Sequence, residues 1–253
     1  MTDSELSNEQ LSRYSRHLLL PEIDLEGQQR LAAAHAVIIG AGGLGSPTAM
    51  YLASSGMGKI TIIDHDTVDL GNLQRQIAFK NSDIGKYKAE QLGTAVRLIN
   101  PEIETQVICR RAEDDLLSTC VSQADIVLDC CDNFTTRFAV NQACLEHQTP
   151  LVSGAAIRFQ GQVAVFDPRD EASPCYRCLY HEDAEIVEET CRDRGIFAPL
   201  VGVIGSIQAA ETLKMVCNIG RPLTGRLLSI DALTMTPRLA NLPKDPHCPA
   251  CGG

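Results

Sequence analysis

Residues 36–52, AVIIGAGGLGSPTAMYL, carry Gly40, Gly42 and Gly45 in G-x-G-x-x-G spacing between an apolar run and a helical pattern. Such a turn sets backbone N–H groups and a helix N-terminus against an anion, which makes it a cradle for nucleotide phosphates. About 20 residues on, KITIID ends at Asp64, placed to accept hydrogen bonds from a ribose diol. NAD, FAD, S-adenosylmethionine and ATP all use this arrangement, so it specifies an adenosine nucleotide and no more. On this motif alone an NAD-dependent oxidoreductase leads.

The residues downstream change the nucleotide. HDTVDLGNLQRQ follows Asp64 and brings Asp66, Asn72 and Arg75 into one loop at the carboxyl edge of the expected sheet, and Lys88 opens the next helix. ADIVLDCCDNFTTR then places Asp129 and Asp132 at the end of another strand. Hydride transfer has little use for two cations and several carboxylates beside the phosphates. A triphosphate uses both: Arg75 and Lys88 can neutralise phosphate oxygens, and Asp132 can hold Mg²⁺. Each charge taken singly also reads as a solvated surface group. Their convergence on one edge favours nucleotidyl transfer.

Eleven cysteines are more than a cytosolic chain usually carries, so their spacing matters. PCYRC and HCPAC supply Cys175, Cys178, Cys248 and Cys251, two C-x-x-C pairs with the thiolate count of a closed tetrahedral Zn²⁺ site. His247 adjoins them and is not needed as a ligand. Cys191, in the polar stretch EETCRDRG, stands apart. Arg192 and Arg194 favour its thiolate and Glu188 and Glu189 oppose it, so it reads either as a nucleophile or as an unreactive loop cysteine. Cys109, Cys120, Cys130, Cys131, Cys144 and Cys217 lie within apolar or helical patterns and are expected to be small buried hydrophobes.

These groups need a scaffold that gathers them. Strands are expected near 36–40, 59–64, 103–109, 125–130 and 150–154, and helices near 8–20, 43–56, 86–99 and 134–147. That alternation predicts an α/β fold, a mostly parallel sheet of nucleotide-binding type with helices on both faces. Beyond Ser153 the pattern turns antiparallel: QGQVAVFD reads as a strand, 168–197 as a polar loop, 199–217 as a small-residue helix, and GRLLSIDALTMTPRLA as a hairpin or edge strand. A hydrophobic share of 44% and a charged share of 21% suit an ordinary globular chain. The net charge of −10 argues against nucleic acid or an anionic membrane as partner. With no signal-peptide pattern and no apolar run of bilayer-spanning length read in the sequence, a cytoplasmic protein is expected.

Taken together, GAGGLG, NLQRQ, DCCDN, SGAAIRFQGQ, the two C-x-x-C pairs and APLVGVIGS resemble the MoeB/ThiF/HesA adenylyltransferases, bacterial relatives of ubiquitin-activating enzymes. The likeness runs from RYSRHLLL to CPACGG. SGAAIRFQGQ and APLVGVIGS are nearer the MoeB branch, whereas GQQRL and TCRDRG have ThiF character. The resemblance implies a Rossmann-like domain over 1–253, with an N-terminal helical segment (1–30), a nucleotide-binding core (31–155) and a carrier-binding, zinc-bearing part (156–253). It implies adenylation by ATP of the C-terminal Gly-Gly carboxylate of a ubiquitin-like sulfur carrier, of MoaD type in molybdenum cofactor synthesis or ThiS type in thiamine synthesis. By motif, Gly43, Asp64, Asp66, the run Gly71, Asn72, Leu73, Gln74 and Arg75, with Lys88, Asp132 and Asn133, line the ATP site. Arg16 reaches into a neighbour's site in a homodimer. Cys191 matches the cysteine that joins the carrier in ThiF-like members and is dispensable in MoeB-like ones. A separate protein is expected to donate sulfur. Ala41 where Leu is common, and Gly71 for a frequent Ser, are departures that remove no charge. A catalytically idle scaffold is disfavoured by the intact Arg75, Lys88 and Asp132.

Overall fold

The structure, a computed structural model, describes residues 6–180 and 194–252. Short apolar runs form β1 (His35–Ile39), β2 (Lys59–Ile63), β3 (Glu104–Ile108), β4 (Ile126–Asp129) and β5 (Leu151–Ile157). The helices between them are α4 (Gly45–Ser54), α5 (Lys88–Ile99), α6 (Asp114–Val121) and α7 (Phe134–Glu146), preceded by α1 (Asn8–Arg13), α2 (Ser15–Leu18) and α3 (Asp24–Ala33). The chain continues through β6 (Gln160–Phe166), α8 (Tyr176–Leu179), α9 (Ala198–Cys217), β7 (Arg226–Asp231) and β8 (Thr236–Asn241). One eight-stranded sheet results, in the order β3-β2-β1-β4-β5-β6-β7-β8. The first five strands pair in parallel and the last three join antiparallel.

The parallel strands are apolar on both faces, as a sheet covered by helices requires. Ile38, Ile60, Ile62, Leu128 and Val152 point into a core shared with α3, α4, α5 and α9. Val37, Ile39, Ile63 and Val127 point the other way, into a core shared with α6 and α7. Every strand expected from the sequence is present. Helices α3 and α6 lie in stretches where no element was expected.

Two expectations are corrected. The helix expected over 8–20 breaks at Tyr14 (φ −97°, ψ 12°). The buried Tyr14 ring packs where a Cβ on Gly56 would stand, and Asn100 Nδ2 donates to its hydroxyl at 2.8 Å. Anchoring that side chain redirects the helix. Second, α9 is a 20-residue helix long and apolar enough to cross a membrane by length and composition. It packs instead on α3, α4, β5 and β6. Its buried Gln208 donates to Asp129 O at 2.8 Å and Val152 O at 3.2 Å, the behaviour of a core helix.

Helix α9 approaches α4 closely at Gly205, where an added Cβ would lie 2.5 Å from Leu44 O and 2.7 Å from Pro47 Cγ. Gly205→Ala is therefore expected to destabilise the fold by about 1–3 kcal/mol through overpacking. Urea unfolding reads this as a lower midpoint at unchanged slope; an unchanged midpoint would show that the two helices can part without cost.

Candidate active site

A cavity of about 470 Å³ opens at the carboxyl ends of the parallel strands. One wall is the glycine loop with Asp64, Asp66, Asn72, Arg75, Gln76 and Lys88, and a second runs from Cys130 to Phe134. The opposite wall is built by β5 and β6 (residues 155–157 and 160–162), Ser229 of β7, and Tyr176 and Tyr180. Ligands of open α/β sheets bind at this edge, where helix N-termini and strand ends meet. Lys88 at the start of α5 and Phe134 at the start of α7 line the cavity, and so does Leu44, which precedes α4. Three helix N-termini thus converge on one space and favour a polyanion.

The glycines have different reasons to be glycine. Gly40 has φ +97°, and a Cβ on Gly45 would lie 1.9 Å from Gly40 O, so the turn tolerates no side chain there. At Gly43 a Cβ would meet Val201 Cγ2 at 2.9 Å. Its backbone lines the cavity, but α9 is what requires the missing side chain.

Asp64 stands just past the end of β2, half-buried. Its Oδ2 accepts from Ala41 N and its Oδ1 from Asp66 N, both at 2.7 Å, so it ties the glycine loop to the next turn. Burial pushes its carboxyl above the usual range, while the two N–H groups and Lys88 pull it back. Lys88, 6% exposed, donates to Asp66 Oδ2 at 2.8 Å. Asp66 is thereby the partner that makes a buried lysine affordable. Arg75 Nη1 donates to Gly71 O at 3.0 Å, which aims the guanidinium along the cavity wall. Asn72 spends its Oδ1 on Asp69 N, and its carbonyl accepts from Arg75 N and Gln76 N. Of the run 71–75, Asn72 and Arg75 line the cavity. Gly71 and Gln74 are exposed outside it, and Leu73 packs against the core.

Asp132 is exposed on the rim, and Asn133 caps α7 by accepting from Thr136 N at 2.8 Å. Asp129, expected beside Asp132, faces elsewhere: it is buried and paired with Arg137 Nη1 at 3.1 Å. Cys130 and Cys131 border the cavity as buried thiols; burial pushes Cys130 up to about 12 and Cys131 well up also, so neither is a nucleophile. Arg16 is exposed on α2 and does not line this cavity. Cys191 lies outside the described residues.

Sequence reasoning missed Gln76, Arg137, Gln162, Tyr176 and Tyr180. Gln76 is the clearest loss: it is 4% exposed, lines the cavity, and its Oε1 is buried without a hydrogen-bond partner. An orphan acceptor beside a phosphate cradle fits a ligand that brings its own donor. Its place next to Arg75 in NLQRQ was the available signal. The rest depend on contacts across the fold and had none.

The four expected metal ligands come together. Cys175, Cys178, Cys248 and Cys251 present sulfurs that all lie within 4.8 Å of one another, with Cys175–Cys248 at 3.7 Å and Cys178–Cys251 at 3.5 Å. Zn–S bonds of about 2.3 Å at tetrahedral angles place sulfurs about 3.8 Å apart, so the set fits Zn²⁺. Backbone N–H groups of Cys175 and Asp245 point at Cys178 Sγ, both at 3.5 Å. For Mg²⁺ the donor chemistry also fits, a rim carboxylate at Asp132 facing a cavity open to phosphate oxygens and water.

Comparison with known proteins agrees with the geometry. The model of the ThiF family matches residues 14–250. The chain is 41% identical over 249 residues to the molybdopterin-synthase adenylyltransferase of Salmonella typhimurium, covering 98% of this chain and 99% of that one. It is 40% identical over 248 residues to the sulfur carrier protein ThiS adenylyltransferase of Escherichia coli, covering 98% of each. Among solved structures, E. coli MccB with ATP superposes with a TM-score of 0.82 at 27% identity, covering 95% of this chain and 74% of that chain. The relatives are nucleotidyltransferases, so the NAD-dependent oxidoreductase favoured by the glycine motif alone is set aside. The chain belongs to the ThiF family and is a nucleotidyltransferase of it.

Proposed function

We propose that the chain adenylates the C-terminal glycine of a ubiquitin-like sulfur carrier with ATP, releasing pyrophosphate. The observation that carries this reading is the cavity itself, with Arg75, Lys88 and Asp132 disposed around the convergence of three helix N-termini. In this reading residues 31–155 hold the nucleotide and 156–253 receive the carrier. The carrier's terminal carboxylate is already ionised, so it attacks the α-phosphorus in line without a general base. Arg75 and Lys88 offset the charge that grows on the phosphate oxygens as pyrophosphate departs. Asp64 holds the glycine loop in register and faces the ribose. Asp132 would hold Mg²⁺, which supplies further neutralisation of phosphate charge.

Arg16, which does not line its own cavity, acts in the site of a second copy of the chain, which makes the homodimer the working unit. Residues Cys175, Cys178, Cys248 and Cys251 hold a structural Zn²⁺ that ties the C-terminal segment to α8. The acyl-adenylate is then open to sulfur from a separate donor protein, with Cys191 as the residue to test for a covalent intermediate. A cytoplasmic setting accords with ten cysteines free among the described residues. We assign the carrier to the MoaD type of molybdenum cofactor synthesis; ThiS of thiamine synthesis is the second reading, favoured by the equally full-length 40% relative.

Pyrophosphate–ATP exchange tests the reaction. Exchange is expected only with Mg²⁺ and a Gly-Gly-ended carrier, faster with the MoaD type than with ThiS. Asp132→Ala should lower it by about 100-fold or more with little change in thermal midpoint, since the side chain is exposed. Carrier-independent exchange, or full activity in the variant, would overturn the assignment. Metal analysis tests the zinc: one Zn²⁺ per chain is expected, and the Cys175→Ser, Cys248→Ser double variant should lose it. A variant that keeps its full metal content would rule out this ligand set.

A further inference from the structure

The metal knuckle and the cavity share a residue. Tyr176 lies between Cys175 and Cys178, is 2% exposed, and lines the cavity wall. Its backbone N–H donates to Asn141 Oδ1 at 2.8 Å, which docks the knuckle on α7. Its ring meets Phe138 and Phe166 edge-on, with centroids 5.7 and 6.0 Å away, and leans on Tyr180 at 5.2 Å. Tyr180 in turn accepts from Gln162 Nε2 of β6 and meets Phe134 at 5.4 Å, one residue after Asn133. Five aromatic side chains of the chain's five tyrosines and six phenylalanines are thus gathered between the cysteine cluster and the cavity.

The guanidinium of Arg137 stands over the Tyr176 ring, its Cζ 5.9 Å from the centroid. Arg137 Nη2 donates to Cys131 O at 2.5 Å and Gly154 O at 2.8 Å, and Nη1 pairs with Asp129 at 3.1 Å. One side chain therefore sets the spacing between the segment that carries Asp132 and the β5 segment that forms the opposite wall. Tyr176 covers the face of that guanidinium. The Tyr176 hydroxyl interacts with the Arg137 side chain as well, so ring and hydroxyl both bear on where that cation sits.

We infer that Tyr176 is a positioning residue: it transmits the state of the four-cysteine site through Arg137 to the cavity, so that metal and nucleotide stabilise each other's binding. The inference rests on the proposed nucleotide site and adds to it a coupling between two sites. Coupling of this kind is reciprocal, so bound nucleotide must tighten metal binding by the same factor by which the metal-loaded chain binds nucleotide more tightly.

The full-length, zinc-loaded chain supplies the test. Zinc partition between the chain and a chromogenic chelator is measured at equilibrium with and without saturating ATP and Mg²⁺, and ATP affinity is measured by equilibrium dialysis. ATP is expected to tighten zinc retention about tenfold in the wild type, within the usual range for coupled sites. In Tyr176→Leu, still carrying its zinc, the protection should fall below about twofold and ATP should bind about tenfold more weakly. Should Tyr176→Leu not fold, Arg137→Lys, which keeps the charge toward Asp129 and loses the planar fork, is expected to show the same loss of protection. Zinc loss that ignores ATP in a wild-type chain that binds ATP would overturn the coupling, as would full protection in the foldable variant. A zinc-loaded wild type that binds no ATP would overturn the proposed function, a result the dialysis separates from the first.

Discussion

The buried ion pair between Asp129 and Arg137 is the constraint around which the site is built. The side chains are 1% and 7% exposed. A pair so far from water stands only if its remaining hydrogen-bonding capacity is met. Here it is: Asp129 also accepts from Ser153 Oγ at 2.7 Å and Cys131 N at 3.0 Å, while Arg137 reaches Cys131 O and Gly154 O. The partners come from the end of β4, from β5 and from α7. Burial opposes the charge on Arg137 and Asp129 favours it, with a net upward shift. Removing either partner would strand the other charge, at a cost of about 3–5 kcal/mol. The network fixes how β4 leaves the sheet, and so where Asp132 and Asn133 emerge.

From that exit the electrostatics follow. The chain carries a net charge of −10, yet the cavity gathers Arg75, Lys88 and three helix N-termini. Lysine is seldom buried without a partner, and Asp66 is the partner of Lys88. That pairing holds the ammonium at the cavity wall before any ligand arrives. Asp64 serves the loop in the same way, spending both oxygens on backbone N–H groups. Under the proposed function, preorganisation of this kind would let the phosphates meet donors already in place, leaving little reorganisation for the chemical step.

Much of this was legible in the chain. The five parallel strands follow from short apolar runs, and the four-cysteine cluster follows from two C-x-x-C pairs whose chemistry needs no fold to be recognised. Arg75, Lys88 and Asp132 were legible because each lies where a strand or loop must leave the carboxyl edge. Asp129 was misjudged because carboxylates three residues apart around a strand end look alike in sequence, and only the position of Arg137 decides which one is buried. Gly43 is placed in the nucleotide site by motif, although Val201, far along the chain, is what leaves no room for its side chain. Tyr176 reads as filler between two cysteines until the knuckle is docked on α7. The break at Tyr14 had the same origin, a long-range anchor that helical periodicity does not register.

The sheet also explains why the glycine loop alone pointed to the wrong nucleotide. Its first five strands take the order 3-2-1-4-5 that dinucleotide-binding sheets use, and a second mononucleotide-binding half would continue it with parallel strands and crossover helices. Instead β5 turns directly into the antiparallel β6, and β7 and β8 follow as neighbours. The space that a second nucleotide would occupy is faced by strand residues such as Gln160, Gln162 and Ser229 and by Tyr180. Under the proposed function, the carrier's tail would lie along this extended, largely uncharged wall beside a single nucleotide. The glycine loop reports only the first half of a site, and the direction of the sixth strand decides what the second half can hold.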